Sequence, residues 1–237
     1  MNIVVIFAGG TGQRMHTKDK PKQFLMIHGK PIIVHTIEIF QNHPEIDGII
    51  VSCIKEWIPF MEEMQYQFRL DKIMKIVPGG DTGQLSIFNG IQAACDVFGE
   101  GDHVVLIHDG VRPLITEALI SDNIRSVKEN GSAITCAPAK ETVVLVEGNQ
   151  VETVVERSTS LIAKAPQSFW LKEVYEAEKQ AISDGYTNMI DTCTLMSHYG
   201  KKLHVVHGNS ENIKITTSED FYTFRAIYDA KENEQLQ

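Results

Sequence analysis

The chain has 237 residues, 43% of them hydrophobic and 22% charged, and carries a formal net charge of −9. That length and balance suit one large domain with a substantial core, and the negative charge argues against a protein that coats nucleic acid or an anionic membrane. Cys53, Cys95, Cys136 and Cys193 are widely spaced without C-x-x-C pairing, so they read as reduced core thiols rather than zinc ligands or disulfides.

Taken in chain order, short β-branched runs alternate with helical patterns. Strands are expected at Asn2–Phe7, Gly48–Cys53, Ile73–Val77 and His103–Ile107. Between them lie helices at Pro31–Gln41, where Pro31 suits a first helical position, and at Trp57–Leu70 and Leu85–Phe98. A helix at Thr116–Asn130 and a strand at Ala133–Ala137 continue the rhythm. Thr142–Val146 and Val151–Val155, joined by Glu147-Gly-Asn-Gln150, read as a hairpin within an arm at about 139–165. An isolated hairpin must pack on something: a second subunit, or an antiparallel edge of the same domain. Helices at Leu171–Asp184 and Asp191–Tyr199 follow, then a strand at Lys202–Val206 and an alternating strand segment at Asn212–Thr216. A last helix begins at Ser218, and the stretch from Lys231 reads as a frayed end. The whole predicts a single α/β domain over 1–237, Rossmann-like and doubly wound around a mostly parallel sheet. Ligands of such sheets bind at the carboxyl ends of the strands.

The loop after the first strand, Ala8-Gly-Gly-Thr-Gly-Gln-Arg14, places Gly9, Gly10 and Gly12 ahead of Arg14, and Lys22 follows. Glycines let a backbone wrap an anion with its N–H groups, and the cations neutralise phosphate charge. The third glycine of a dinucleotide turn is missing, and Lys18 and Lys20 fit no P-loop frame. The loop residues Ala8, Gly9, Gly10, Thr11 and Gly12 are therefore assigned to nucleotide phosphates. Gly79-Gly80-Asp81-Thr-Gly83 is a second glycine cluster, where a planar base can approach the backbone and Ser86 can meet a base or ribose. Asp109, ending the fourth strand, is well placed to hold Mg²⁺, which favours one or two carboxylates plus substrate phosphate oxygens. Arg112 can orient Asp109 or reach phosphate, while His108 reads as a packed neighbour. Asp191 is an N-cap or a ligand residue, and Lys214 gains interest only beside Arg14 and Lys22.

Six segments in order resemble one enzyme family: Ala8-Gly-Gly-Thr-Gly-Gln-Arg-Met, Pro21-Lys-Gln-Phe, Gly79-Gly-Asp, His108-Asp-Gly-Val-Arg-Pro, Ala165-Pro-Gln-Ser-Phe and Asn212-Ile-Lys-Ile-Thr-Thr-Ser-Glu-Asp. They are similar to the cytidylyltransferases that make CDP-linked polyols. These include the methylerythritol-phosphate enzymes of isoprenoid synthesis and the ribitol-5-phosphate enzymes of teichoic-acid and capsule synthesis. The resemblance implies a homodimer joined through the β-arm, with CTP and a polyol phosphate as substrates, Mg²⁺ as cofactor and diphosphate as product. It implies catalytic roles for Arg14, Lys22 and Lys214, metal binding by Asp109, and nucleotide contacts by Arg112, Gly80, Asp81 and Ser86. It also implies acceptor contacts by Thr142, Arg157 and Asp191, with Arg157 reaching the partner subunit. The chain departs from the family's usual pattern at three positions: Gly83 stands where arginine is usual, and Ala165 and Ile190 where threonine is usual. The loop and Phe24 tilt the resemblance towards the ribitol branch. The alternatives are the methylerythritol-phosphate enzyme and a catalytically silent nucleotide-binding homologue. With no apolar run near the roughly 18 residues of a membrane span and no secretory leader pattern, the expected compartment is the cytoplasm.

Overall fold

The computed structural model describes residues 1–10 and 20–234. Its strands and helices are β1 (Asn2–Ala8), β2 (Met26–Ile27), β3 (Lys30–Pro31), α1 (Ile32–Asn42), β4 (Gly48–Cys53), α2 (Ile58–Gln67), β5 (Ile73–Pro78), α3 (Gly83–Phe98), β6 (Val104–Asp109), α4 (Glu117–Asn130), β7 (Ser132–Pro138), β8 (Val144–Glu147), β9 (Gln150–Val154), β10 (Leu161–Trp170), α5 (Leu171–Ser183), α6 (Thr192–His198), β11 (Val205–His207) and α7 (Ser218–Glu234). Seven strands form the main sheet in the order β11-β7-β10-β6-β1-β4-β5. β1 pairs in parallel with β4 and β6, β4 with β5, and β7 with β11.

The central strands are apolar on both faces because helices cover both. Along β1, Val4, Ile6 and Ala8 join one core cluster, while Ile3 and Val5 join the other. The period of two thus survives inside a continuous apolar run. α1, α2 and α4 supply the first cluster; α3, α5 and α6 supply the second. Gly90 lets α3 sit close on the sheet, since a Cβ there would lie 2.5 Å from a Val5 methyl. A third cluster, including Ile32, Val111, Ile215 and Phe224, seats α7 beside the loop after β6.

Four expectations change. β10 was not anticipated as a strand of the main sheet; it runs antiparallel between β6 and β7. Pro166 interrupts its pattern, and the register shifts between Ala163 and Gln167, where a residue without an N–H is tolerated. The Asn212–Thr216 segment is not a strand, although Ile215 is buried and its N–H donates to the Val111 carbonyl. The edge strand β11 begins at Val205 rather than Lys202. The expected frayed end is helical as far as Glu234. The hairpin is present as β8–β9, a two-stranded sheet of its own rather than an edge of the main sheet. Both its strands are exposed throughout, including Val144, Leu145, Val146, Val151 and Val154.

Candidate active site

Two adjoining clefts open at the carboxyl ends of the central strands. The first, about 320 Å³, is lined by Ala8, Gly9 and Gly10 after β1, by Gly80–Gly83 entering α3, and by Lys22, Gln23, Ser86, Asp109 and Lys214. The second, about 270 Å³, shares Phe7, Gly83, Asp109 and Lys214 with the first. It adds Arg112, Lys164, Ala165, Gln167, Ile190, Asp191 and Thr192.

Local sequence chemistry builds the first cleft. Pro21 leads into a single 3₁₀ turn, Lys22–Phe24, and Phe24 anchors it by stacking on Trp57 with ring centroids 4.8 Å apart. The buried Gln23 amide, missed in the sequence, donates to the carbonyls of Ala8 (2.7 Å) and Gly10 (3.2 Å), fixing the glycine loop. Lys22, half-buried on the same turn, lines the cleft. A Cβ on Gly9 would lie 2.5 Å from Ser86 Oγ, so the two glycine segments approach as only glycines can. Ser86 does not present a free hydroxyl. Its Oγ accepts the Gly80 N–H (3.1 Å), and its O–H donates to Thr82 O (2.9 Å). It ties the second glycine segment to α3. Thr82 caps that helix by accepting the Leu85 N–H.

The charged centre is Asp109, 5% exposed at the end of β6. Arg112 Nε donates to its Oδ2 at 2.7 Å, and Lys214 Nζ lies 2.6 Å from its Oδ1. Burial alone would push this carboxyl up. The Lys214 and Arg112 charges and their hydrogen bonds overcome it and hold the group well below the usual carboxylate range. Arg112 is fixed further by donating to Asn212 O (2.9 Å), and Lys214 also lies over the Phe7 ring. Thr217 and Asp220 cap α7 reciprocally, holding the segment that carries Lys214. His108 is fully buried, bonded to the Arg112 carbonyl and pushed by burial down to about 4, as fits a neutral packing group.

The donor set at Asp109 suits Mg²⁺ of a particular kind. The carboxylate is ionised and faces both clefts, and among the described residues no three acidic, histidine or cysteine side chains group together. A hard ion that takes one protein carboxylate and completes its shell with phosphate oxygens and water fits; a closed protein cage does not.

The remaining predicted residues fall in three places. Asp191 lines the second cleft and is also an N-cap: Oδ1 accepts the Thr194 N–H (2.8 Å) and Oδ2 the Gln167 amide (3.0 Å). Thr142 and Arg157 are exposed on the arm and line neither cleft of their own chain. Thr11, Gly12 and Arg14 lie outside the described residues. All three departures, Gly83, Ala165 and Ile190, line the second cleft. Lys164 and Gln167 also line it, and sequence gave no signal for either beyond their place near the Ala165-Pro-Gln motif.

Known proteins match this architecture along its whole length. The chain is 57% identical over 237 residues to the ribitol-5-phosphate cytidylyltransferase of Streptococcus agalactiae serotype III, covering 100% of this chain and 99% of the relative. It is 35% identical over 229 residues to a 2-C-methyl-D-erythritol 4-phosphate cytidylyltransferase of Clostridium acetobutylicum, covering 96% and 97% of the two chains. The crystal structure of 4-diphosphocytidyl-2C-methyl-D-erythritol synthase from Anaerococcus prevotii superposes with a TM-score of 0.82 at 27% identity, over 96% of each chain. A single family model, described as IspD, 2-C-methyl-D-erythritol 4-phosphate cytidylyltransferase, matches residues 2–230. The chain belongs to the IspD family of cytidylyltransferases.

Proposed function

We propose that this protein condenses CTP with D-ribitol 5-phosphate, giving CDP-ribitol and diphosphate. The observation that carries the reading is full-length 57% identity to ribitol-5-phosphate cytidylyltransferases, joined to Lys22, Asp109 and Lys214 lining one cleft. The glycine-lined cleft takes CTP and the adjoining cleft takes the polyol phosphate.

A phosphomonoester is mostly a dianion at neutral pH, so its oxygen needs no deprotonation by a side chain. That oxygen attacks the α-phosphorus of CTP, and the bond from the α-phosphorus to the bridging oxygen breaks, releasing diphosphate. The obstacles are repulsion between anions and charge growing on the leaving group. Lys22 and Lys214 answer both as positioned cations, with Arg14 joining them in our reading. Asp109 keeps Lys214 and Arg112 in place. Asp109 is also the residue that would hold Mg²⁺, whose charge would draw in and neutralise the triphosphate.

The exposed apolar arm supports a homodimer in which Thr142 and Arg157 reach the second copy's acceptor cleft. Among the described residues no helix is long and apolar enough to cross a membrane, and we read the protein as cytoplasmic, serving teichoic-acid or capsule synthesis.

Release of diphosphate from CTP and Mg²⁺ with a panel of polyol phosphates tests the reading. Turnover of ribitol 5-phosphate is expected, and Lys22→Ala is expected to lower it about 100- to 1000-fold without loss of fold. Preference for methylerythritol phosphate would move the chain to that branch. CTP binding with no turnover of any acceptor would make it a silent homologue.

A further inference from the structure

Lys164 stands in β10 inside the register shift between Ala163 and Gln167, and it lines the second cleft only. Its Nζ donates to two backbone carbonyls, Ser210 O (3.0 Å) and Asn212 O (3.2 Å). Asn212 O also accepts Arg112 Nη1 at 2.9 Å, so two cations converge on one carbonyl oxygen. Their charge balance differs. Arg112 and Lys214 share the single charge of Asp109, whereas no carboxylate among the described residues pairs with Lys164.

The surroundings are cationic as well. The half-buried ammonium is disfavoured first by burial and then by the charges of Arg112 and Lys140. Arg112 and Lys140 both repel the Lys164 ammonium, a cost that an anion arriving in the cleft would offset. An ammonium has three donors, and two are spent on carbonyls, which leaves one for a ligand. Apart from the Thr192 hydroxyl, which is buried without a partner, the neutral wall offers little competition. Ala165 and Ile190 offer the cleft no side-chain donor, and Asp191 and Gln167 are bonded to each other.

We propose that Lys164 is a phosphate-binding residue of the acceptor cleft, its Nζ taking the phosphomonoester of the polyol phosphate. This rests on the assignment of the second cleft to the acceptor. The contact has a consequence for selectivity between substrates of this same enzyme. The residue belongs to the acceptor, so its loss acts on the acceptor's KM and leaves CTP alone.

The test uses the full chain as wild type, Lys164→Gln and Lys164→Arg. Diphosphate release is measured with the acceptor varied at saturating CTP, then with CTP varied at saturating acceptor, and a melting curve is taken for each protein. Gln keeps a donor for the carbonyls but carries no charge. The expected result is an acceptor KM about 10- to 100-fold higher in Lys164→Gln, a CTP KM within about twofold of wild type, an unchanged Tm, and recovery of most of the loss in Lys164→Arg. An unchanged acceptor KM in Lys164→Gln overturns the proposal. So does a CTP KM that rises as much as the acceptor's, or an Arg variant as impaired as Gln. A wild type that ignores ribitol 5-phosphate but turns over another polyol phosphate refutes only the choice of polyol, and Lys164 is then tested on that substrate. A wild type inactive with every polyol phosphate overturns both.

Discussion

Replacing Asp109 by Asn separates the ion-pairing role that the structure shows from the metal-holding role proposed above. The change keeps size and removes one negative charge from between two cations, at Lys214 Nζ 2.6 Å away and Arg112 Nε 2.7 Å away. The two cations are not equally harmed. The Lys214 side chain is 43% exposed and regains water, whereas Arg112 is 12% exposed and keeps neutral acceptors such as the Asn212 carbonyl but no paired carboxylate. One stranded buried cation costs about 3 kcal/mol, the low end for breaking a buried pair. For a domain of this size that corresponds to a fall in Tm of about 6–12 °C. Turnover is expected to fall about 100- to 1000-fold at 25 °C, where the variant is still folded, because Lys214 loses its anchor and the proposed Mg²⁺ would lose its carboxylate. Differential scanning calorimetry and diphosphate release on the same preparation read both numbers. A turnover within tenfold of wild type, with the expected loss of Tm, would show that Asp109 is structural only. An unchanged Tm would refute the electrostatic account of Arg112. The paired carboxyl, held below its ordinary range, also contributes stability that is full above the unfolded-state value. That stability is lost only as pH falls towards the lowered folded value, so wild type and Asp109→Asn converge in Tm in strong acid.

Three further changes probe neighbouring parts. Glu178 is 1% exposed and burial pushes its carboxyl up to about 7, so its stabilising protonated form is complete below 4.5 and lost as pH rises through 7. Glu178→Gln should therefore be more stable than wild type by about 3 kcal/mol at pH 8.5 and equal to it near pH 4; a pH-independent difference in Tm would contradict this. Ser86→Ala removes the acceptor of the Gly80 N–H and should raise the CTP KM about 5- to 10-fold, the cost of one hydrogen bond, with the acceptor KM unmoved. Gly83→Arg places a side chain where a Cβ meets nothing within 4 Å, so the fold should hold. The added cation between the clefts should lower the CTP KM by about 3- to 10-fold and raise the acceptor KM by crowding; kinetics unchanged in both substrates would show that the position is silent.

The local features were legible in the sequence because each depends on a few neighbouring residues. Thr82 and Thr116 cap α3 and α4 as their residue types require, and Gly131 ends α4 in a left-handed conformation. The continuous apolar runs of β1, β4 and β6 announced a sheet covered on both faces. β10 stayed hidden because Pro166 and Lys164 break its pattern, and its place depends on pairing with strands far away in the chain. Lys214 looked like a solvated lysine of a strand. It became part of the site only when Ile215 bonded to Val111 and brought it against Asp109.

By itself, then, the sequence determined the α/β alternation, the two glycine segments at strand ends, and the carboxylate at the end of β6, all of them matters of backbone freedom and local periodicity. The tertiary structure alone decided which charges meet. Arg112 and Asn212 are 100 residues apart in sequence, yet their contact places Arg112 and Lys164 on one carbonyl and leaves Lys164 without a carboxylate partner among the described residues. Such a meeting follows from strand order and register across the whole sheet, and a charge's environment, unlike a helix cap, is set by everything packed around it.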